Sequence, residues 1–344
     1  MKILVIGAGR EGSVGRCCER ALSRLGHEVV YYDYREEAYG HRGPLTPGYW
    51  RKLVLPRFIA DQFVKLMNKR LIEVARSIRP ALVLVNKGEL LYPSTIELMK
   101  KATGAVIVVW HTDSPFTALV SNRRVITGLC RYDICFVFDP WYVPEILRHG
   151  AKRVEYLPVG CDPAIHYPIK LTARDRQIYG SDVCFVGNLQ THISPRRRVL
   201  NAIADFDLKI WGVSWKTLND EQLQPKIVGR SVYGEEYSKV YSASKMALNV
   251  HHPQCIKALN PRAFEIAACG CMLVTDVMEE LPKFFEPGKE VVTFEEIGEL
   301  RDKLEFYLRN ETARREIARA GMRRALAEHT YDLRMRQMLE LALA

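Results

Sequence analysis

No stretch of this sequence stays apolar long enough to cross a bilayer. The longest apolar runs, LVLV at 82–85 and VIVVW at 106–110, fall far short of the roughly 20 residues that a spanning helix needs. The chain opens MKILVIGAG, directly into a strand-like run. It shows no charged n-region, apolar h-region or small-residue cleavage site, so no secretory leader is expected. It also lacks an internal repeat and any low-complexity tract, which argues against solenoid and fibrous architectures.

The cysteines make no disulfide framework. Their number, nine, is odd, and most sit inside apolar stretches such as CFVF, CFVG and CGCML. That pattern is expected of reduced, buried thiols in a cytoplasmic protein. His251, His252 and Cys255, with Cys269 and Cys271 further on, fit no common zinc spacing. Asp205 and Asp207 precede the strand-like LKIWG rather than ending a strand. They read as turn formers, and no required metal is expected.

What is present is a globular composition, 48% apolar and 26% charged. A chain of 344 residues exceeds one ordinary core and suits two domains of about 150 residues each. The formal charge of +10 favours anionic partners: nucleoside diphosphates, anionic lipid, acidic glycans or nucleic acid. Between Arg301 and Arg336, arginine and glutamate alternate at helical spacing, so much of that charge reads as a solvated helix face.

Strand and helix alternate through the first half. KILVIG (2–7), HEVVYYD (27–33), ALVLVN (81–86), AVIVVW (105–110) and ICFVF (134–138) read as strands, with helices over Ser13–Leu25 and 59–78. Unbroken apolar strands between amphipathic helices predict a parallel sheet covered on both faces. Gly40–Gly48, rich in Gly, Pro, Tyr and His, reads as an inserted loop. The proline-dense LPVGCDPAIHYPIK (157–170) reads as a domain linker. A second series then runs through DVCFVGN (182–188), a helix at 195–204, LKIWG (208–212) and a helix near Glu235–Ser244. It continues with MALNV (246–250), a helix from Pro261, CMLVTD (271–276) and helices from Ile297 to the end. The predicted fold is α/β, two Rossmann-like halves with a helical tail.

Two signals point to different chemistry. Gly7, Gly9 and Gly12 follow a strand and open a helix, and Asp33 ends the next strand about twenty residues on. Such a turn lets backbone N–H groups approach a phosphate while the acid holds a ribose hydroxyl. A nicotinamide-dependent oxidoreductase is one reading of it. The turn could equally close strand–helix packing, or cradle another phosphate or an acceptor through Gly9, Gly12 and Ser13.

The second signal is Tyr241–Asp276, YSASKMALNVHHPQCIKALNPRAFEIAACGCMLVTD. With DVCFVGN before it and GKEVVTF and HTYDLR after it, it resembles the CgeB-like (spore protein) glycosyltransferases, relatives of family 4 of the retaining glycosyltransferases. The resemblance spans Asp182 to Arg334. The first half agrees more loosely, through the Gly-rich turn, HTDSP (111–115) and LPVGCDP (157–163).

The resemblance implies a GT-B type fold, two Rossmann-like domains facing across a cleft with C-terminal helices crossing back. The divisions expected are an acceptor domain at 1–165, a donor domain at 171–330 and a helix at 331–344 packing on the first domain. The implied activity is hexosyl transfer, with retention, from a nucleoside-diphosphate sugar to a hydroxyl acceptor, with no cofactor besides that donor. The acceptor stays open among anionic glycan, lipid and nucleic acid. An oxidoreductase and a non-catalytic nucleotide-sugar-binding protein stay as alternatives.

In the resembled family a carboxylate in the position of Glu265 accepts the ribose hydroxyls. The second glutamate usual eight positions earlier is absent, and Lys257 stands there. This lysine could meet the diphosphate or an acidic sugar, or lie in a surface loop. The loop 187–198, GNLQTHISPRRR, leads into a helix. Gly187, Asn188 and Arg196 or Arg197 would there suit a diphosphate, with Arg262 approaching from the other side. Three consecutive arginines also suit a solvated helix face. His111 and Asp113 follow the strand AVIVVW, where an open sheet places ligands. They are the catalytic candidates, to orient or deprotonate the acceptor or contact the sugar. Asp113 could instead cap a helix begun by Pro115.

Overall fold

The computed structural model describes residues 1–40, 57–117, 121–189 and 194–344, the side chains of 57–60 excepted. The expected Gly40–Gly48 loop, beyond Gly40, and residues 190–193 of the 187–198 loop lie outside the described residues. Two compact units form, one from Met1–Pro158 with Tyr331–Ala344, the other from Val159–Thr330.

The first unit runs β1 (Lys2–Gly7), α1 (Val14–Arg24), β2 (Glu28–Asp33), α2 (Tyr34–Tyr39), α3 (Arg57–Ile78), β3 (Leu82–Asn86), α4 (Pro93–Thr103), β4 (Val106–His111), α5 (Arg123–Gly128), β5 (Ile134–Val137), α6 (Val143–Arg148) and β6 (Val154–Tyr156). Its strands pair in parallel in the order β2-β1-β3-β4-β5-β6. Ile3 stands opposite Val29 on one side and Leu82 on the other. Ile3–Ile6, Leu82–Val85 and Ile107–Trp110 have no exposed surface, the mark of strands covered on both faces. Each such large apolar side chain contributes about 1.5–3 kcal/mol on burial. α1 starts where the Ser13 hydroxyl accepts from the Arg16 amide, and it buries Cys17, Cys18, Ala21 and Leu22 at helical spacing.

The last helix of the chain, Tyr331–Leu343, belongs to this first unit. Arg24 of α1 donates from Nε (3.0 Å) and Nη2 (2.6 Å) to Asp332. Tyr331 packs edge-on against Trp110, ring centroids 6.0 Å apart, and Arg153 Nη1 donates to the Leu341 carbonyl at 3.0 Å.

The border between units lies at Pro158, earlier than the 165 expected. The proline-dense segment is bound into the second unit: Cys161 N donates to His329 O (2.9 Å), Ser238 Oγ to Ile165 O (2.5 Å) and Ile169 N to Ser242 Oγ (3.0 Å). Aperiodicity suggests a linker, but these backbone groups are satisfied by neighbours distant in sequence.

The second unit runs α7 (Ala173–Tyr179), β7 (Ser181–Val186), α8 (Pro195–Asn201), β8 (Leu208–Trp211), α9 (Gly234–Ala243), β9 (Ser244–Asn249), α10 (Pro261–Ala268), β10 (Met272–Asp276), β11 (Val292–Phe294), α11 (Ile297–Arg309) and α12 (Glu311–Glu328). Its parallel sheet has the order β11-β10-β9-β7-β8. One core joins Phe185, Trp215, Leu248, Val274 and Leu300. The basic tail is only in part a solvated face. Arg301 pairs with Asp205 and Arg315 with Glu311, but Arg314 and Arg334 are buried. Among the described residues no helix is long and apolar enough to cross a membrane.

Candidate functional site

Strand order in the second sheet reverses between β7 and β9, and open parallel sheets take ligands beyond the carboxyl ends at such a point. Arg196, on the first turn of α8, occupies it. Its Nε donates to Val250 O (3.0 Å) just past β9, and its Nη1 to Asn188 O (2.8 Å) just past β7. The side chain is 2% exposed, with the guanidinium carbon 5.7 Å from the Phe185 ring centre. Burial, with the Arg262 guanidinium nearby, pushes its pKa down to about 9. Arg262, at the start of α10, reaches towards Gly187, where a Cβ would come within 3.5 Å of its guanidinium carbon. Its Nη1 is buried with no hydrogen-bond partner. Among the described residues neither guanidinium forms an ion pair with a carboxylate. The nearby Asp276 instead accepts from the His251 amide (3.0 Å) and lies 2.6 Å from its Nδ1.

A buried guanidinium beside a half-buried one whose Nη1 is itself buried and unpartnered, with no carboxylate paired to either among the described residues, is unfavourable unless a ligand supplies an anion. The arrangement has room in its electrostatics for an anion.

The remaining sequence candidates separate. Gly187 and Asn188 brace the loop: Trp215 Nε1 donates to Gly187 O (2.6 Å), and Ser214 Oγ to Asn188 Oδ1 (3.2 Å). Arg197 points away from Arg196, with its Nε and Nη2 each 2.9 Å from Asp220 Oδ2. Lys257 pairs with the exposed Glu279 at 2.7 Å. Glu265 lies in the second turn of α10 rather than at its start, one helical turn beyond Arg262 and 9% exposed. Tyr237 OH donates to its Oε2 at 2.5 Å, Tyr241 OH donates in turn to Tyr237 OH at 3.1 Å, and His166 Nε2 stands 3.9 Å from Oε1. Burial, then the Glu265 carboxylate, holds the Tyr237 phenol well above its ordinary pKa. Tyr237 thus stays a donor.

A row of buried polar groups past β9 and β10 escaped the sequence reading. Asn260 Nδ2 donates to Asn249 Oδ1 (3.0 Å), Asn249 Nδ2 to Thr275 Oγ1 (3.3 Å), and Asn260 Oδ1 has no partner. The available signal was polar residues directly closing apolar runs, in LNVHH and VTD.

In the first unit the Gly-rich turn is occupied by the protein's own groups. Gly12 has φ 76°, a conformation suited to glycine. A Cβ on Gly9 would lie 1.9 Å from Asp33 Oδ2, and one on Gly7 2.8 Å from the Tyr31 hydroxyl. Tyr31 OH (2.8 Å) and Ser13 Oγ (2.6 Å) both donate to Ala8 O. Asp33 Oδ1 accepts from the Arg35 (3.0 Å) and Glu36 (3.1 Å) amides and caps α2. The carboxylate that would hold a dinucleotide ribose is turned on backbone.

His111 ends β4, 2% exposed, with Nε2 unpartnered. Burial, then Lys87, pushes its pKa down to about 4, against an opposing pull from Asp113. It is a neutral imidazole at pH 7. No helix begins at Pro115 among the described residues. Asp113 forms an ion pair with Lys87 instead of capping one. Lys87 was not foreseen. It follows β3 with φ 67°, a conformation that costs a non-glycine residue about 1–2 kcal/mol. Such strain concentrates at functional sites. Lys87, His111, Asp113 and Ser114 line one small crevice.

Residues 195–340 match a family described as glycosyl transferase-like. No curated protein sequence matches the chain significantly. Solved structures of similar fold include the sucrose-phosphate synthase of Thermosynechococcus elongatus, at 16% identity and TM-score 0.67 over 99% of this chain and 98% of that one. HepE of Anabaena in complex with UDP-glucose is similar at 12% identity and TM-score 0.67 over 99% of both chains. AviGT4, a glycosyltransferase of avilamycin A biosynthesis, is similar at 17% identity and TM-score 0.60 over 99% of this chain and 96% of its own. At these identities the likeness establishes the fold, two Rossmann-like α/β units of the GT-B class.

Proposed function

We propose that this chain is a glycosyltransferase moving a hexosyl group, with retention, from a nucleoside-diphosphate sugar to a hydroxyl acceptor. The observation that carries the proposal is the buried Arg196 beside the half-buried Arg262, whose Nη1 is buried without a partner, neither paired with a carboxylate among the described residues, at the switch point of the second sheet. Charge grows on the leaving diphosphate as the glycosidic bond breaks, and preorganised guanidiniums in a dry site stabilise such charge strongly. The helix end at Arg262 adds its positive dipole. These fixed cations are the reason for proposing transfer without a required metal.

Glu265 keeps Oε1 for a ribose hydroxyl while Tyr237 holds Oε2. In the first unit, the neutral His111 offers an unpartnered Nε2 for the sugar or the acceptor hydroxyl, and the Lys87–Asp113 pair borders the same crevice. The second unit is then the donor domain and the first the acceptor domain. The glycosyl transferase-like match at 195–340 and the UDP-glucose held by HepE support this reading. Within the glycosyltransferases the CgeB-like group is our assignment. We place the protein in the cytoplasm because all nine cysteines are free and eight of them buried.

Calorimetry with UDP, GDP, ADP and NAD⁺ tests the site, and mass spectrometry of UDP-glucose or GDP-mannose hydrolysis tests turnover. A diphosphate should bind at micromolar to millimolar Kd and NAD⁺ should not. Tight NAD⁺ binding with no diphosphate binding sinks the proposal. Binding without turnover would leave a nucleotide-sugar-binding protein.

A further inference from the structure

A second recess of the first unit lies among the segments that follow β4 and β5. It is a cavity of about 630 Å³ lined by Phe116, Trp141, Tyr142, Pro144, Glu145, Arg148 and His149. That volume suits a small ligand. Trp141 leaves 53% of its surface exposed beside this cavity, although Trp110, Trp211 and Trp215 are fully buried. Phe116 packs on His149 (ring centroids 5.0 Å apart) and on Tyr142 (6.1 Å), so the aromatic wall is braced.

The polar side of the cavity is electrically balanced. Glu145 pairs with Arg148 at 2.5 Å and lies 3.3 Å from His149 Nδ1. His149 Nδ1 is also 2.9 Å from the Glu145 carbonyl. The rim thus offers guanidinium donors, a carboxylate acceptor and an imidazole edge, and its paired opposite charges give an anion no net attraction.

We propose that this cavity is a binding site for a neutral sugar ring, the acceptor end of a glycan or glycoside. The C–H face of a pyranose is apolar and fits the indole of Trp141, with the half-buried Phe116 behind it, while its hydroxyls need donors and acceptors at one edge. A purely apolar ligand would leave the Glu145–Arg148–His149 edge unused. An anionic ligand would meet Glu145. The word acceptor rests on the sugar-transfer reading above; the binding of a neutral sugar does not. The cavity shares the segment 111–116 with His111 and Asp113, so an acceptor bound there is held by the chain that carries the catalytic candidates.

Ligand-observed NMR with the full chain tests it. The probes are the methyl glycosides of glucose, galactose, mannose and N-acetylglucosamine, with cellobiose, maltose and methyl glucuronide, each at 1–20 mM. At least one neutral sugar is expected to bind at millimolar Kd, and Trp141→Ala and Arg148→Ala should each weaken it about tenfold or more. UDP affinity should be unchanged in both variants, which also shows that they fold. Three outcomes overturn the assignment: no neutral sugar binds, methyl glucuronide binds best, or neutral-sugar affinity survives Trp141→Ala. Loss of the donor reading looks different, because UDP then fails to bind the unmodified protein whatever the sugars do.

Discussion

The carboxyl ends of the two sheets use the same architecture in opposite ways. In the first unit, the glycine turn is filled from within: Tyr31 and Ser13 both donate to Ala8 O, and Asp33 caps α2 against Gly9. Arg35 there has its own carboxylate, Glu89. In the second unit, Arg196 bridges Asn188 and Val250 through neutral carbonyls, and Arg262 keeps a buried N–H without a partner. A Gly-rich turn advertises phosphate binding in sequence, but here its Ala8 carbonyl and the Asp33 carboxylate beside it are taken up by the protein's own donors. The buried Nη1 of Arg262, without a partner, is open to a ligand. What remains unpaired, rather than the better-known motif, is our reason for proposing the second unit as the one that takes the charged ligand.

The sharpest way to break that contrast is Arg262→Met. If the pair is an anion site, diphosphate affinity should fall by roughly a hundredfold, since hydrogen bonds to charged groups contribute about 1.5–3 kcal/mol each. The ligand-free protein should become more stable, because the like charge beside the buried Arg196 has gone. The depressed pKa of Arg196 gives the sign. Between about 9 and its unfolded value, the unfolded chain binds more protons than the native one, so native stability is lower at pH 7 than above the folded pKa. Calorimetry and thermal melting of the variant measure both effects. A destabilised variant that keeps its nucleotide would mean that the arginine is structural.

The titration of His111 sharpens the comparison from the other side, since this first-unit group is buried neutral rather than charged. Its folded pKa, about 4, lies below the unfolded value. Native stability is therefore full above about pH 6.5 and is lost as pH falls towards 4. At pH 5 the loss is about 2 kcal/mol, an order-of-magnitude figure. His111→Phe removes the group but keeps the Lys87–Asp113 pair. The stability difference between wild type and variant, from urea unfolding at pH 7.5 and 5, should shift by that amount. A constant difference would mean that the imidazole is solvated.

Glu265 and Tyr237 test the donor edge more gently. Tyr237→Phe removes one hydrogen bond to the carboxylate, worth about 1.5–3 kcal/mol, and frees Oε2. Nucleotide affinity should fall about three- to tenfold, through misplacement of Oε1. Glu265→Gln should lose about tenfold or more, and a 2′,3′-dideoxy nucleotide should lose little further in that variant. Equal losses on removing the hydroxyls in wild type and Glu265→Gln would place Glu265 away from the ribose.

The sheets were legible because their central strands are unbroken apolar runs, and periodicity alone located Ile3–Ile6, Leu82–Val85 and Val183–Val186. The edge strands β6 and β11 were not, being three residues each. α7 was missed although Thr172 and Asp175 form a capping box that the sequence displays. At the site, the motif order pointed to Gly187, Arg196, Arg262 and Glu265. Pairings across 25–54 positions stayed hidden, among them His251 with Asp276 and Arg196 with Val250. Lys87 was illegible for another reason, since its left-handed backbone leaves no compositional trace beside Gly88.

Arg197 gives the smallest expected effect and the cleanest control for the pair. Arg196 and Arg197 look equivalent in sequence, yet neighbours on a helix point about 100° apart. Which one faces inward was decided by the Val250 carbonyl. Arg197 is half-exposed and its partner Asp220 also accepts from Asn201 Nδ2 (2.9 Å) and the Leu223 amide (3.3 Å). Removing the guanidinium therefore leaves that carboxylate partly satisfied. Arg197→Ala should cost no more than about 1 kcal/mol of stability, the range of an exposed ion pair, and less at high salt. Diphosphate affinity should change less than twofold, against a loss of tenfold or more for Arg196→Ala. Calorimetry on the two single variants at 50 and 300 mM salt separates them. Equal losses would mean that long-range charge, rather than the two carbonyl-anchored bonds of Arg196, attracts the nucleotide, and the contrast between the two sheet edges would then be one of net potential alone.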